Sequence, residues 1–210
     1  MMEKSAVVYP TLNQDEALRA LDKGGCILMP LGGAYVLSCD AINAEAVRRI
    51  SELKGRPFGQ PLPLLFSSLS EVRNAQVETP LLSLADAFWP GPLTLSVPAF
   101  PGLPASVTQG IHMVGIRVPT SAAIRQLISA LGRPLVATSA NPSGQPAALS
   151  LEDCVRYRFS GLTGRLDIPL GSRERSTVVA LAEGRLRFHR EGRYTRREIE
   201  AAWLRCRMTH

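Results

Sequence analysis

Apolar residues recur along this chain in two rhythms, and the switches between them place the elements. Ala17, Leu18 and Leu21 keep helical spacing behind Asn13 and Asp15, either of which suits an N-cap, and predict a helix over 16–22 that Gly24-Gly25 ends. Val47, Ile50 and Leu53 predict one over 44–54 behind Asn43, and Ile124, Leu127, Ile128 and Leu131 one over 121–131. Helices are also expected at 69–75, 80–88, 151–159 and, capped by Thr195, 196–205. Short apolar runs predict strands at 26–30, 36–40, 62–66, 93–97, 114–119 and from 134, with a short one at 168–170. Ala6-Val7-Val8-Tyr9 reads as an edge strand, and Pro63 belongs at an edge or bulge because it has no N–H to donate. Residues 98–113 read as a Pro/Gly loop, and 171–175 as a basic loop. Strands over 176–181 and 185–190 flank a Glu183-Gly184 turn, a hairpin. Alternating strands and helices give an α/β fold, and no repeat or linker divides residues 1–210 into more than one domain.

Composition narrows the class. The 210 residues are 45% hydrophobic and 20% charged, as in a globular protein. The net charge of +6 suits a polyanionic partner, RNA, DNA or a nucleotide, and equally a merely basic surface. Cys26, Cys39, Cys154 and Cys206 form no C-x-x-C pair, and Cys26 and Cys39 read as buried thiols. His112, His189 and His210 are scattered, so no metal site is expected. The amino end shows no leader pattern and no apolar run reaches the ~20 residues of a membrane span, which points to a cytoplasmic protein.

Three stretches carry candidate chemistry. In Ser139-Ala140-Asn141-Pro142-Ser143-Gly144, at the carboxyl end of a strand, Ser139 and Asn141 share a side if the backbone stays extended. A polar turn bonding its own backbone explains the same residues. Lys54-Gly55-Arg56 ends a helix, where its cations complement the dipole or extend over a pocket toward phosphate or carboxylate. Arg117, inside an apolar strand with Gly115 and Pro119 on its face, needs an anionic partner if that face is covered: a core ion pair or a nucleotide phosphate. Leu31-Gly32-Gly33-Ala34-Tyr35 is a glycine turn, and neither G-x-G-x-x-G nor a Walker sequence is present.

Lys54-Gly55-Arg56, Trp89-Pro90-Gly91-Pro92-Leu93-Thr94, Val114-Gly115-Ile116-Arg117-Val118-Pro119, Ser139-Ala140-Asn141-Pro142-Ser143-Gly144 and Ser176-Thr177-Val178-Val179 follow one another in an order and spacing that resemble the YrdC family. The resemblance covers about residues 15–193. It implies a twisted, mostly open mixed sheet with flanking helices and a basic concave face. It also implies the activity of the family's well-known members, the threonylcarbamoyl-AMP synthases. These join L-threonine, bicarbonate and ATP and release pyrophosphate, and the group then passes through threonylcarbamoyl-transferase complex proteins to an adenosine of tRNA. On this resemblance Lys54, Arg56, Ser139 and Asn141 are the catalytic positions. Arg117, Ser176 and Arg190 join them on the nucleotide side, with Mg2+ assisting. Where the family reads Pro-Thr-(Asp/Glu)-Thr-x-Tyr-Gly-Leu, this chain has Pro30-Leu31-Gly32-Gly33-Ala34-Tyr35-Val36-Leu37. The substrate-side positions Leu31, Gly33 and Tyr35 therefore belong to an altered wall. Ser121-Ala122 stands where a His-Pro pair is common, and Gln60 where a second Lys is common. These departures leave open a non-catalytic paralogue binding nucleotide or RNA, double-stranded RNA included, or a carbamoylating or adenylating enzyme with another acceptor.

Overall fold

A computed structural model describes residues 8–77 and 79–208. Its strands are β1 (Thr11–Leu12), β2 (Ile27–Leu31), β3 (Ala34–Asp40), β4 (Leu64–Leu65), β5 (Leu93–Pro98), β6 (Met113–Arg117), β7 (Leu135–Ser139), β8 (Gly164–Leu166), β9 (Thr177–Ala182) and β10 (Arg185–Arg190). Its helices are α1 (Gln14–Asp22), α2 (Ala44–Lys54), α3 (Leu69–Asn74), α4 (Ala85–Phe88, after a 3-10 turn at Pro80–Leu84), α5 (Ala105–Thr108), α6 (Ala122–Leu131), α7 (Leu151–Tyr157) and α8 (Arg196–Met208). The strands form one open mixed sheet in the order β1-β8-β2-β3-β7-β4-β6-β5-β9-β10.

Local chemistry explains the helix starts. Asn13 caps α1, accepting from the Glu16 N–H while Glu16 returns a bond to the Asn13 N–H. Asn43, Ser121 and Ser150 accept in the same way at α2, α6 and α7. Gly55 and Gly132 end α2 and α6 in the left-handed conformation.

The sheet buries both faces, but unequally. One face packs Leu37, Cys39, Leu64, Leu95, Ile116, Val136 and Val179 with α2 residues Val47 and Ile50. On the other, Met29, Val36, Leu65, Leu135 and Ala137 lie under Leu21 of α1 and Ile124, Leu127 and Ile128 of α6. This second cover stops at the middle of the sheet: no residue of β5, β6, β9 or β10 belongs to it. The uncovered half is a concave floor.

Several expectations need correction. Of the patch at 6–9, Ala6 and Val7 lie outside the described residues, and Val8 and Tyr9 are not in a strand. Tyr9 is buried, its hydroxyl donating to Cys154 O at 3.0 Å, and the edge strand is β1. The expected strand at 168–170 is replaced by β8, parallel to both β1 and β2. Gly164 makes that possible, since a Cβ there would lie 2.4 Å from Pro10 O, and Gly-Arg-Leu carries no alternating pattern to announce it. Pro63 is not at an edge: it precedes β4, which is paired on both sides, by β6 and β7. The proline is tolerated because it stands before the paired residues, and β4 is only two residues long. The 98–113 loop contains α5. The edge of the second cover falls at β4, one of the two shortest strands.

Candidate active site

Registered pairing brings one set of side chains onto the uncovered floor. Leu65 pairs with Arg117, Gly115 with Ser96, and Thr94 with Val178. Because alternate residues of a strand share a face, Arg117 and Gly115 of β6 stand beside Thr94 and Ser96 of β5 and Val178 of β9. Gly115 keeps the floor low; a Cβ there would be 3.1 Å from Thr94 Cγ2. The walls are Leu31, Gly32, Ala34 and Val36 from the β2–β3 hairpin, Ser139 at the end of β7, and the loop Arg173-Glu174-Arg175-Ser176. The cavity so enclosed is about 660 Å3.

Five arginines, Arg56, Arg117, Arg173, Arg175 and Arg190, and one acidic residue, Glu174, are among the residues lining it; Arg173 and Arg175 are exposed, the other three at least partly buried. Arg117 is 6% exposed. Its Nε donates to Gly91 O at 2.9 Å, within the Trp89-Pro90-Gly91-Pro92 turn, and its Nη2 is buried with no hydrogen-bond partner among the described residues. Burial brings its pKa down to about 10, against the pull of Glu174 and with the push of Arg190. Arg190 donates through Nε to Ser176 O at 2.9 Å and through a terminal nitrogen to Ser176 Oγ at 3.0 Å. Burial, then the neighbouring Arg175, lowers its pKa. Arg56 holds its own loop, donating to Gln60 O and Pro61 O at 3.0 Å, and burial lowers its pKa too. Crowded, partly desolvated cations of one sign favour whatever anion enters.

Lys54 and Asn141 lie outside this cavity, in an adjoining one of about 430 Å3 that also touches Arg56, Ser139, Ser143 and Gly144. The Lys54 ammonium is folded under the loop after β7. Nζ donates to Ser139 O, to Asn141 O at 2.7 Å and to Asn141 Oδ1 at 3.2 Å, which uses all three of its protons. The Asn141 amide donates to Pro142 O at 3.0 Å and Gln145 O at 2.6 Å. The extended backbone that would align Ser139 with Asn141 is not kept, although both line this smaller cavity. The strand ends at Ser139, and the Asn141 N–H turns back to Ser139 O at 2.9 Å. Burial, then Arg56, lowers the Lys54 pKa to about 8.

The altered hairpin has a structural occupation of its own. The Gly33 N–H donates to Leu170 O at 3.1 Å, and Gly32 O accepts from the Glu174 N–H at 3.0 Å. From the other side the Arg193 N–H donates to Arg175 O at 2.7 Å. The hairpin thus moors the loop that carries Arg173, Glu174 and Arg175. Gly33, at φ +73, permits the approach: a Cβ would lie 2.5 Å from Arg173 Cα. Gly33→Ala is expected to lift the 171–175 loop, since alanine in this conformation costs about 1–2 kcal/mol and the clash is with backbone. Amide exchange over that loop is expected to rise at least tenfold; unchanged protection there would contradict the mooring. Tyr35 bonds through its backbone alone, its N–H to Ala148 O and its carbonyl from the Ala140 N–H, both at 2.9 Å.

Of the residues singled out in the sequence, Leu31, Arg56, Arg117, Ser139, Ser176 and Arg190 meet in the larger cavity, while Lys54 and Asn141 shape the loop beside it and Gly33 and Tyr35 stand behind its wall. Sequence reading missed Thr94, Ser96, Arg173, Glu174 and Arg175 as cavity residues. The alternation of 93–97 does signal the first two. Nothing local distinguishes the loop residues from surface arginines. Among the described residues no group of three or more His, Cys, Asp or Glu is placed to hold a metal, and no helix is long and apolar enough to cross a membrane.

Known proteins resemble this arrangement closely. The Sua5/YciO/YrdC family, described as "Telomere recombination", matches residues 19–192. A Bacillus subtilis protein named threonylcarbamoyl-AMP synthase is 34% identical over 196 residues, covering 91% of this chain and 56% of the relative. One of the same name from Halorhodospira halophila is 34% identical over 183 residues, covering 86% and 92%. The crystal structure of P. abyssi Sua5 complexed with L-threonine superposes with a TM-score of 0.82 at 30% identity, covering 92% of this chain and 60% of that one. The chain thus spans little more than half the length of some relatives and nearly all of others. With the match running from α1 to the end of β10, the chain belongs to the Sua5/YciO/YrdC family.

Proposed function

We propose that this protein makes a threonylcarbamoyl-adenylate from L-threonine, bicarbonate and ATP, releasing pyrophosphate. The observation that carries the proposal is one cavity lined by five arginines, in which a buried nitrogen of Arg117 has no partner among the described residues. A triphosphate supplies the missing acceptors. Arg56, Arg117 and Arg190 take phosphate oxygens, and the hydroxyls of Ser139 and Ser176 complete the cradle. Lys54 and Asn141 hold the Ser139–Gly144 loop in shape. Magnesium enters as the counter-ion of ATP, held mainly by phosphate and water, as suits a cavity with one carboxylate.

The chemistry needs no nucleophilic side chain. The threonine amine, once deprotonated, attacks the carbon of bicarbonate and water leaves, giving a carbamate; a carbamate oxygen then attacks the α-phosphorus as its bond to pyrophosphate breaks. Negative charge grows on the leaving group, where fixed guanidiniums stabilise it without reorganising. Alignment of carbamate and α-phosphate supplies the rest. The threonylcarbamoyl group then passes to an adenosine of tRNA, with transferase proteins as partners and the basic surface as the RNA contact.

The expected result is pyrophosphate release that requires threonine and bicarbonate together with ATP. None from folded protein overturns the proposal. A second reading, nucleotide or RNA binding without turnover, has one observation in its favour: Leu31, Ala34 and Val36 present no hydroxyl on the hairpin wall. Tight ATP binding without pyrophosphate release selects it.

A further inference from the structure

Glu174 is out of keeping with its surroundings. It is the one carboxylate lining a cavity that five arginines also line. Such a residue is expected to pair with a neighbouring guanidinium; its charge does pull on Arg117, yet among the described residues no partner lies within ion-pair or hydrogen-bond distance of its carboxylate. Its backbone is fixed all the same, through the bond from its N–H to Gly32 O at 3.0 Å. The close approach of Gly32 to Glu174 O, 3.1 Å from an added Cβ, fixes it further. The main chain is moored and the charge is left available.

We infer that Glu174 receives the ammonium group of the amino-acid substrate. The inference rests on the proposed synthase activity and adds a specificity-determining residue to it. A triphosphate satisfies the arginines but offers nothing to a carboxylate. A free amino acid is a zwitterion, and only a site of mixed charge reads both ends: a guanidinium takes the carboxylate in a forked pair, and Glu174 takes the ammonium. A divalent cation fits the position less well. It carries twice the charge into a field of five guanidiniums, and one carboxylate gives it a single protein oxygen pair. The hairpin that moors Glu174 is the altered segment Leu31-Gly32-Gly33, where the family's threonines are absent. The loop it holds thereby brings an amine-binding group to the same wall.

The test is calorimetric, on the full chain saturated with a non-hydrolysable ATP analogue and magnesium. Two probes are titrated: L-threonine, and the matching hydroxy acid in which a hydroxyl replaces the ammonium. The wild type is expected to prefer threonine at least tenfold. Glu174→Gln keeps the size and the loop but lacks the charge; it is expected to bind both probes alike while holding the ATP analogue within twofold of wild type. Glu174→Asp is expected to recover part of the preference. The inference is overturned if Glu174→Gln keeps the wild-type preference, or if its loss falls on the nucleotide or on the magnesium dependence. Wild-type protein that binds the nucleotide but no threonine overturns the threonine reading itself, and the role of Glu174 with it. Wild-type threonine binding with an indifferent Glu174→Gln removes only the latter.

Discussion

Arg117→Met is expected to weaken ATP binding about a hundredfold and to leave the melting temperature unchanged or raised. The two effects have opposite signs because they act on different states. In the free protein Arg117 is a buried cation with one hydrogen bond, to Gly91 O, and a terminal nitrogen bonded to nothing. Replacing an uncompensated buried charge by an apolar side chain of similar length is commonly neutral or stabilising. In the complex the same nitrogen meets a phosphate, and hydrogen bonds to charged groups are worth about 1.5–3 kcal/mol each. One such bond near the top of that range accounts for the hundredfold, which is about 2.7 kcal/mol. Calorimetric titration with ATP and a thermal melt measure both. A variant that melts far below wild type yet binds ATP well would make Arg117 a core residue rather than a ligand.

Lys54→Met is expected to lower stability by about 2–4 kcal/mol: it strips the donor from Asn141 O and Asn141 Oδ1, both buried, and from the more exposed Ser139 O, each buried acceptor left unpaired costs about 1–3 kcal/mol, and relief of a buried charge offsets part of the sum. The loop after β7 then loses its shape, and pyrophosphate release falls with it. A melting temperature unchanged from wild type would show that the ammonium does not hold the loop.

The pH dependence of the wild type carries the same test further. Lys54 stands at about 8, below the ~10.4 of an unfolded lysine. Between these values the folded chain holds fewer protons than the unfolded one, so this group's contribution to stability rises with pH across the window. The cost of burying its charge is complete below 8. Parallel thermal melts of wild type and Lys54→Met are therefore expected to show the wild type gaining on the variant as the pH rises from about 8 toward 10, and a constant difference would contradict the depressed lysine.

How much of this was legible beforehand differs from element to element. The helix 44–54 matches α2 residue for residue, because Asn43 and Gly55 are strong local stops and the apolar stripe lies between them. Arg117 could be singled out because an arginine in an apolar strand demands an explanation. Ser139 and Asn141 could be noticed but not oriented, since the turn that separates them begins only where the Asn141 N–H finds Ser139 O. Lys54 read as a residue reaching outward; the fold turned its ammonium under the loop, to carbonyls 85 and 87 positions away. Short β8 escaped because its pairing with β1 and β2 comes from tertiary contact and from a glycine, not from a pattern.

The sequence alone determined the class of fold, the limits of α2, the two-residue rhythm that sets Thr94 beside Ser96 and Gly115 beside Arg117, and the order of motifs that marks the family. Those are local properties, fixed by side-chain period and capping chemistry. Only the tertiary structure decided which half of the sheet stays uncovered, that the Gly32-Gly33 turn moors the 171–175 loop, and that Glu174 lines the same cavity as five arginines. These depend on strand order and on contacts between residues more than a hundred positions apart. No spacing along a chain encodes which of its charges will be buried together.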